Sequence, residues 1–220
     1  LVVDSGKDAC KLLGQMTSGD QRAAPQVTRA GDWWDRPRAC INLGVTAPGL
    51  LALGVSESMV NLFPEAFRLG PTRNASGIGD RDASAPDAWE VGGPKNETVH
   101  LILSLFTDEA RDACLAEYDG QLQALFRAHQ LRVVWTKDGY TQDGDKVHFG
   151  YRDGIAQPRI KGATAGLRED MQPDCEPGEF LLGNDFTNQF GGNFLGDVPN
   201  ALGGNGTFAA LRVLNQDVPA

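Results

Sequence analysis

One stretch of the chain combines groups that could do chemistry with a backbone that could aim them. Residues 149–158 read FGYRDGIAQP, and in them Asp153 follows Arg152, with Gly150 and Gly154 flanking the pair. Because glycine has no Cβ, the backbone at these two positions can lie against a planar ligand or make a tight turn. A carboxylate held at one point can take up and return a proton. Aspartate is also common in turns, and the segment taken alone favours a turn.

The elements around this stretch follow from hydrophobic periodicity and capping residues. Strands are predicted where apolar residues run together or alternate, at residues 39–45, 98–106, 131–135, 180–182 and 207–214. Helices are predicted after capping residues, from Thr46, from Ser56 and from Thr107. The order strand, helices, strand, helix, strand predicts a ferredoxin-like split βαβ plan, which is an α+β class with an antiparallel sheet.

The organisation outside these elements is less regular. Residues 1–37 are polar and carry breakers at Gly19 and Pro25, so we interpret them as an N-terminal extension packed onto a domain of residues 38–220. Residues 70–94 are rich in Gly, Pro, Asp and Ser, which predicts a long surface loop. The last predicted strand, which six residues follow, should pair with another segment.

Charge and composition argue against several classes of function. Lys and Arg number 20 against 29 Asp and Glu, and the resulting net charge of −9 disfavours nucleic acid or an anionic membrane as partner. No run of about 18 apolar residues is present that could span a membrane. The four cysteines contain no Cys-x-x-Cys pair, which excludes the usual zinc and redox spacings and leaves disulfides and free thiols equally open.

Three features predict a secreted protein. The chain begins at Leu1, so that either a segment was removed before it or the sequence given begins there. Glycosylation sequons start at Asn74, Asn96 and Asn205. The acidic composition points the same way.

Several motifs, in order, resemble those of the dye-decolorizing peroxidases, a haem enzyme family. The central one is the Gly-x-x-Asp-Gly signature at residues 150–154. Other matching landmarks lie at residues 42–55, 63–67, 79–89, 99–101, 178–183 and 205–218. Each landmark alone is weak, whereas their order over residues 38–218 is specific.

This resemblance implies haem b bound between two ferredoxin-like halves, with this chain as the N-terminal half of a dimeric α+β barrel-like fold. It implies hydrogen peroxide as oxidant and dyes, phenols or similar aromatics as electron donors. Asp153 maps onto the family's distal aspartate and is predicted to be the distal acid–base. Arg152 is interpreted as a structural or haem-propionate partner, because the family's distal arginine comes from the second half. The remaining cofactor-binding candidates are Gly150, Gly154, Ile155, Ala156 and Gln157.

The family's iron-ligating histidine lies beyond the region that corresponds to residues 207–214. We do not assign that role to His100, His129 or His148, and we expect the ligand from outside this chain. The expected partner is a C-terminal half or a second chain of the same enzyme. Three explanations stay open for this missing half: a cleaved piece, a separate subunit, or a segment absent because the chain is a fragment. Two alternative functions also stay open: a non-catalytic haem carrier, and a structural half supporting a catalytic partner.

Overall fold

The computed structural model describes residues 1–29, 37–107, 112–139, 146–147, 150–152, 159–161, 174–184 and 195–215. The chain divides into two compact units, residues 1–29 with 33–136, and residues 30–32 with 137–220. Across the described ranges, no helix is long and apolar enough to cross a bilayer.

The first unit holds most of the regular structure. In chain order its elements are β1 (Val2–Val3), α1 (Gly6–Thr17), β2 (Ala39–Val45), α2 (Ala47–Ala52), α3 (Glu57–Val60), α4 (Glu65–Asn74), β3 (Leu101–Thr107), α5 (Asp112–Ala128) and β4 (Leu131–Arg132). Between α4 and β3 lie three short 3-10 helices, Ala75–Ile78, Asp82–Ser84 and Pro86–Ala88. The second unit contains β5 (Arg159–Ile160), β6 (Asp174–Cys175), a 3-10 helix at Pro177–Glu179 and α6 (Asn200–Gly203).

The strands of the first unit form two antiparallel pairs. β1 pairs with β4, and β2 pairs with β3 over seven residues, from Ala39 opposite Thr107 to Val45 opposite Leu101. Leu1 joins the two pairs, because its carbonyl accepts hydrogen bonds from the N–H groups of His100 (2.9 Å) and Leu101 (3.1 Å). The strands therefore follow one another as β4, β1, β3, β2. With α1 and α5 as the connecting helices, this is the ferredoxin-like split βαβ motif, and the predicted α+β class is confirmed.

The N-terminal region differs from the prediction. Residues 1–29 are not irregular, since they contain β1 and α1, the first strand and helix of the motif. The Ser5 hydroxyl accepts a hydrogen bond from the Asp8 N–H at 3.4 Å and caps α1, whose apolar residues Ala9, Leu12 and Met16 are fully buried. Polar residues lie between these apolar positions, which makes their spacing of three and four hard to recognise in the sequence. The proposed domain boundary after residue 37 stays a prediction.

The core of the first unit lies on one face of the β2–β3 pair. Ile41 of β2 and Leu101 of β3, each 1% exposed, belong to one buried cluster with Leu12 of α1 and with Leu122 and Phe126 of α5. Full burial of a side chain of this size stabilises the folded state by roughly 1.5–3 kcal/mol. The helices α1 and α5 therefore cover this face of the strand pair, and neither of them covers the opposite face.

The predicted helix starts are confirmed at α2 and α3. The Thr46 hydroxyl accepts from the Gly49 N–H at 3.0 Å, and the Ser56 hydroxyl accepts from the Met59 N–H at 3.4 Å. The start predicted at Thr107 stays a prediction: Thr107 is the last residue of β3, and α5 is described from Asp112 onward. Residues 108–111 lie outside the described ranges.

The predicted long surface loop and some predicted strands also differ from the structure. Residues 70–94 contain the end of α4 and the three 3-10 helices, and α4 is kinked at Gly70, ahead of Pro71. Residues 180–182 lie in turns after the 3-10 helix, and residues 207–214 form no strand. The strand at 131–135 is limited to Leu131–Arg132. In each case the residue types favour a strand, but a strand also needs a neighbour with which to pair.

The second unit has a single described strand pair, and it is parallel rather than antiparallel. Arg159 lies opposite Asp174, and Ile160 lies opposite Cys175. All four cysteines of the chain are free thiols. The sequence left disulfides and free thiols open, and the structure shows free thiols.

Candidate functional site

The segment that enters the signature is a tight hairpin. The Val147 N–H donates to the Tyr151 carbonyl and the Gly150 N–H donates to the Val147 carbonyl, each at 2.9 Å. Lys146 and Arg152 lie opposite each other as an antiparallel β-bridge. Gly150 has φ +82°, a left-handed backbone conformation that is energetically unfavourable for residues with a Cβ. The structure therefore shows Gly150 in a tight turn. The other predicted role of this glycine, contact with haem, stays a prediction.

The predicted acid–base lies directly after this hairpin. Asp153, Gly154, Ile155, Ala156 and Gln157 fall outside the described residues, so their assigned roles stay predictions. Arg152, the last residue of the hairpin, is exposed. Its predicted role as a structural or propionate partner is likewise untested.

The segment that leaves the signature is held by two ion pairs across β5 and β6. The Arg159 Nε lies 3.0 Å from the Asp174 Oδ1, and Lys161 pairs with Glu176. The hydrogen bond that the Lys161 ammonium donates to the Glu176 carboxylate raises the pKa of Lys161. The hairpin at 146–152 and the strand pair at 159–175 thus anchor the chain on the two sides of residues 153–158.

The two described histidines, His100 and His129, form hydrogen bonds with backbone atoms of the first unit. The His100 Nδ1 accepts a hydrogen bond from the Val3 N–H at 2.9 Å, which leaves the hydrogen of the neutral ring on Nε2. Burial lowers the pKa of His100 and so favours this neutral form. The His129 Nδ1 lies 3.0 Å from the Asp8 carbonyl oxygen, which can only accept, so that nitrogen donates. His148 lies outside the described residues.

The structure has a surface cavity in the first unit. A surface cavity of about 520 Å³ is lined by Glu97, Gln123, Phe126, Arg127, Leu131, Arg132, Val133 and Val134. A haem of the peroxidase type needs an axial histidine, and this lining contains neither histidine nor cysteine. Within the described ranges, no three His, Cys, Asp or Glu side chains come together as a metal site. The expectation that the iron ligand comes from outside this chain stays a prediction.

The three sequon asparagines have different surroundings. Asn74 is exposed at the end of α4. Asn96 is half-buried, and its Oδ1 accepts from the Gly93 N–H at 2.8 Å. Asn205 is exposed with φ +59°, and its Oδ1 accepts from the Asn184 Nδ2 at 2.9 Å. Asn74 is thus the candidate with the fewest described structural ties.

Comparison with known proteins adds information about the family. No protein-family model matches the chain. Over 187 residues the chain is 29% identical to a dye-decolorizing peroxidase of Mycena epipterygia, covering 84% of this chain and 32% of that protein. Over 218 residues it is 27% identical to a dye-decolorizing peroxidase of Exidia glandulosa, covering 96% of this chain and 39% of that protein. This chain resembles the dye-decolorizing peroxidases. The resemblance inferred from the ordered motifs is confirmed.

The fold agrees with the sequence comparison. The solved structure of a dye-decolorizing peroxidase in complex with 2,6-dimethoxyphenol matches this chain with a TM-score of 0.64 and 23% identity. The match covers 87% of this chain and 41% of that one. At this identity it supports the fold class alone. The chain therefore has a fold found in dye-decolorizing peroxidases and spans 32% to 39% of the length of the two curated relatives.

The first strand and helix of the first unit are harder to recognise from the sequence than its later elements. β1 and α1 complete the motif, and their available signal was Ser5 three residues before Asp8, followed by apolar residues spaced by three and four. The bond from Val3 to His100 had no signal in the sequence, because it joins residues 97 positions apart.

Proposed function

We propose that this chain is the N-terminal, ferredoxin-like component of a haem-dependent peroxidase of the dye-decolorizing type. One observation carries the proposal: sequence and fold comparisons agree on the same enzyme family, at 29% identity over 187 residues and a TM-score of 0.64. Since the chain spans 32% of that relative, the activity belongs to an assembly with a C-terminal half or second chain. That partner supplies the iron ligand and the distal arginine.

The proposed reaction uses hydrogen peroxide to oxidise dyes, phenols or other aromatic donors. When bound, haem b supplies the redox centre at which peroxide is reduced. Asp153 takes the proton from one peroxide oxygen and returns it to the other as the O–O bond breaks. The partner's guanidinium stabilises the negative charge that develops on the departing oxygen. The described residues on the two sides of the segment that carries Asp153 are the hairpin with Gly150 at its turn and the β5–β6 pair.

The test is Asp153→Asn in the complete assembly. A positioned proton carrier contributes roughly 10²–10⁴-fold to the rate, so we expect kcat/KM for peroxide to fall by about this factor at unchanged haem content. Asp87→Asn is the matched control, since Asp87 is an exposed carboxylate paired with Lys95 in the first unit. Haem content is read from the Soret absorbance and turnover from the bleaching of a dye. An Asp153→Asn protein with normal haem and normal turnover removes Asp153 from the mechanism.

In the structural-support alternative, this chain stabilises a catalytic partner and takes no part in the proton transfer. This alternative predicts that both Asp153→Asn and the control leave peroxide turnover unchanged. The carrier alternative predicts haem binding without turnover by the intact assembly. The same pair of variants, measured for haem content and for turnover, separates all three functions.

We further propose that the protein is secreted and glycosylated. The exposed positions of Asn74 and Asn205 support this. Treatment of the native protein with a glycosidase that removes N-linked glycans should lower its mass, and Asn74→Gln should abolish part of that shift. An unchanged mass contradicts glycosylation and removes the main support for secretion.

A further inference from the structure

The surface cavity of the first unit has a lining that the proposed function does not use. Its residues come from three segments of the chain: Gln123, Phe126 and Arg127 of α5, residues 131–134 from β4 onward, and Glu97 before β3. Its volume of about 520 Å³ lies within the range of roughly 300–1,000 Å³ that small-molecule sites occupy in proteins. The cavity is therefore large enough for a small organic ligand.

One part of the lining is apolar. Phe126 and Leu131 are buried and belong to the core, so they form a fixed part of the wall. Val133 is 37% exposed and Val134 is half-buried. A ligand that covers these side chains removes apolar surface from water, which favours binding. This part of the lining therefore suits a ligand with an apolar body.

The charged part of the lining contains one paired and one unpaired cation. The Arg132 Nε lies 2.7 Å from the Asp4 Oδ2, and its Nη1 lies 2.9 Å from the Glu97 Oε2, so these charges compensate one another. Arg127 lies in the last turn of α5, and within the described ranges its guanidinium has neither a carboxylate at ion-pair distance nor a hydrogen-bond acceptor. Its donors are therefore available to an anionic ligand.

The polar groups of the lining indicate which anion fits. A guanidinium presents its N–H groups in one plane, which matches the two oxygens of a carboxylate and also stacks on aromatic rings. Phe126 offers a ring against which a second ring can pack. The Gln123 Nε2 donates weakly to the Asp119 Oδ1 at 3.5 Å, which leaves the Gln123 Oε1 as an acceptor for a hydroxyl group.

We propose that this cavity binds a small aromatic carboxylate, with the carboxylate on the Arg127 guanidinium and the ring against the apolar part of the lining. The inference does not rest on the proposed function, because the binding involves neither haem nor peroxide. A basic residue in the last turn of a helix also interacts favourably with the helix dipole, and that role needs no ligand. The experiment separates these two roles of Arg127.

The test is a titration of the complete protein with 4-hydroxybenzoate, followed through the methyl NMR signals of residues 131, 133 and 134. We expect saturable shifts of these signals, with no shift of the methyl signals of Leu62, an exposed leucine outside the lining. The uncharged 4-hydroxybenzamide should bind at least about tenfold more weakly, because it loses the charge-assisted hydrogen bonds to Arg127. Acetate, which lacks the ring, and octanoate, which has an aliphatic chain instead, should be weaker by a similar factor.

Two matched pairs of variants locate the site. Arg127→Gln should raise the Kd for 4-hydroxybenzoate at least about tenfold, whereas Arg73→Gln, at an exposed arginine in the last turn of α4, should leave it unchanged. Val133→Glu places a carboxylate in the lining and should weaken binding by repulsion. Leu115→Glu, at a similarly exposed position of α5 outside the lining, should not.

Several results overturn the proposal. The absence of a saturable shift up to the solubility limit of 4-hydroxybenzoate means that the cavity does not bind aromatic carboxylates. An equal Kd for 4-hydroxybenzamide, or for the Arg127→Gln protein, means that Arg127 serves only the end of its helix. Acetate or octanoate binding as tightly as 4-hydroxybenzoate means that the ring is not recognised, and unchanged binding in Val133→Glu places the ligand elsewhere. The NMR signals report binding without turnover, so a failure of the proposed function leaves this test readable.

Discussion

The two units of the chain are stabilised in different ways. The first unit has a buried apolar cluster built from α1, β2, β3, α5 and β4. In the described part of the second unit, the strands are two residues long, Arg159–Asp174 and Lys161–Glu176 bridge them, and the buried apolar residues are Leu195 and Val198. The predicted acid–base belongs to the second unit. In its described part, the second unit therefore has fewer buried apolar side chains than the first, and a short strand pair and ion pairs connect its segments.

The largest effect should come from the core of the first unit. Leu12→Ala removes a fully buried side chain from the cluster and should lower the free energy of unfolding by about 2–5 kcal/mol. Leu202→Ala, at an exposed leucine of the second unit, is the control and should change it by less than about 0.5 kcal/mol. Urea unfolding followed by far-UV circular dichroism measures both. Equal losses would remove the distinction between the units.

The next effect should come from the turn at Gly150. An alanine in its left-handed conformation costs roughly 1–2 kcal/mol, so Gly150→Ala should open the hairpin and speed hydrogen exchange at the Val147 amide. Gly120→Ala, within α5 and with open space around it, should stabilise the first unit by roughly 0.5–1 kcal/mol instead. Unchanged exchange at Val147 in the Gly150 variant would contradict the tight turn.

A smaller effect should appear as a pH dependence of the first unit. Burial lowers the folded-state pKa of His100 below its unfolded value of about 6.5. The unfolded state therefore binds a proton before the folded state does. The contribution of His100 to stability should be constant above about pH 6.5, fall as the pH drops through that value, and level off below the folded-state pKa of this histidine.

Urea unfolding at several pH values between about pH 5 and about pH 7.5 measures this dependence. His100→Gln keeps an acceptor that can reach the Val3 N–H but does not titrate, so its curve should be flatter over the same range. Parallel curves for the two proteins would show that other groups cause the pH dependence.

The smallest effect should come from the ion pair that closes the β5–β6 strands. Asp174→Asn removes one charge of an exposed pair and should cost less than about 1 kcal/mol, with the difference from the unchanged protein shrinking at high salt. Thermal unfolding at low and high salt provides the measurement. A loss as large as that of Leu12→Ala would mean that the second unit depends on its ion pairs as much as the first depends on its core.

The sequence predicted well where the signals are local. Thr46 and Ser56 were identified as helix caps, and both accept the expected backbone hydrogen bond. The apolar residues at 39–45 and 98–106 predicted the β2–β3 pair, whose observed bounds are Ala39–Val45 and Leu101–Thr107. Caps and alternation act over a few residues, so they can be read without knowing what lies next to them in space.

The prediction failed where the outcome depends on distant neighbours. Residues 207–214 have the composition of a strand but form none, because composition does not provide a second strand to pair with. The polar sequence of residues 1–37 predicts an irregular extension, whereas its described part contains β1 and α1, which complete the βαββαβ motif. β1 is two residues long, and its place in the sheet comes from pairing with β4, more than a hundred residues later.

The sequence by itself determined the family resemblance, the helix caps, the alternation of β2 and β3, and a glycine where the hairpin needs a left-handed residue. Only the tertiary structure decided that the N-terminal residues belong to the core, that His100 accepts a hydrogen bond from β1, and that one apolar face of the β2–β3 pair is exposed. The reason is the range of the interactions. Local backbone preferences are set by adjacent residues, whereas strand order and burial depend on segments that meet only in the folded chain.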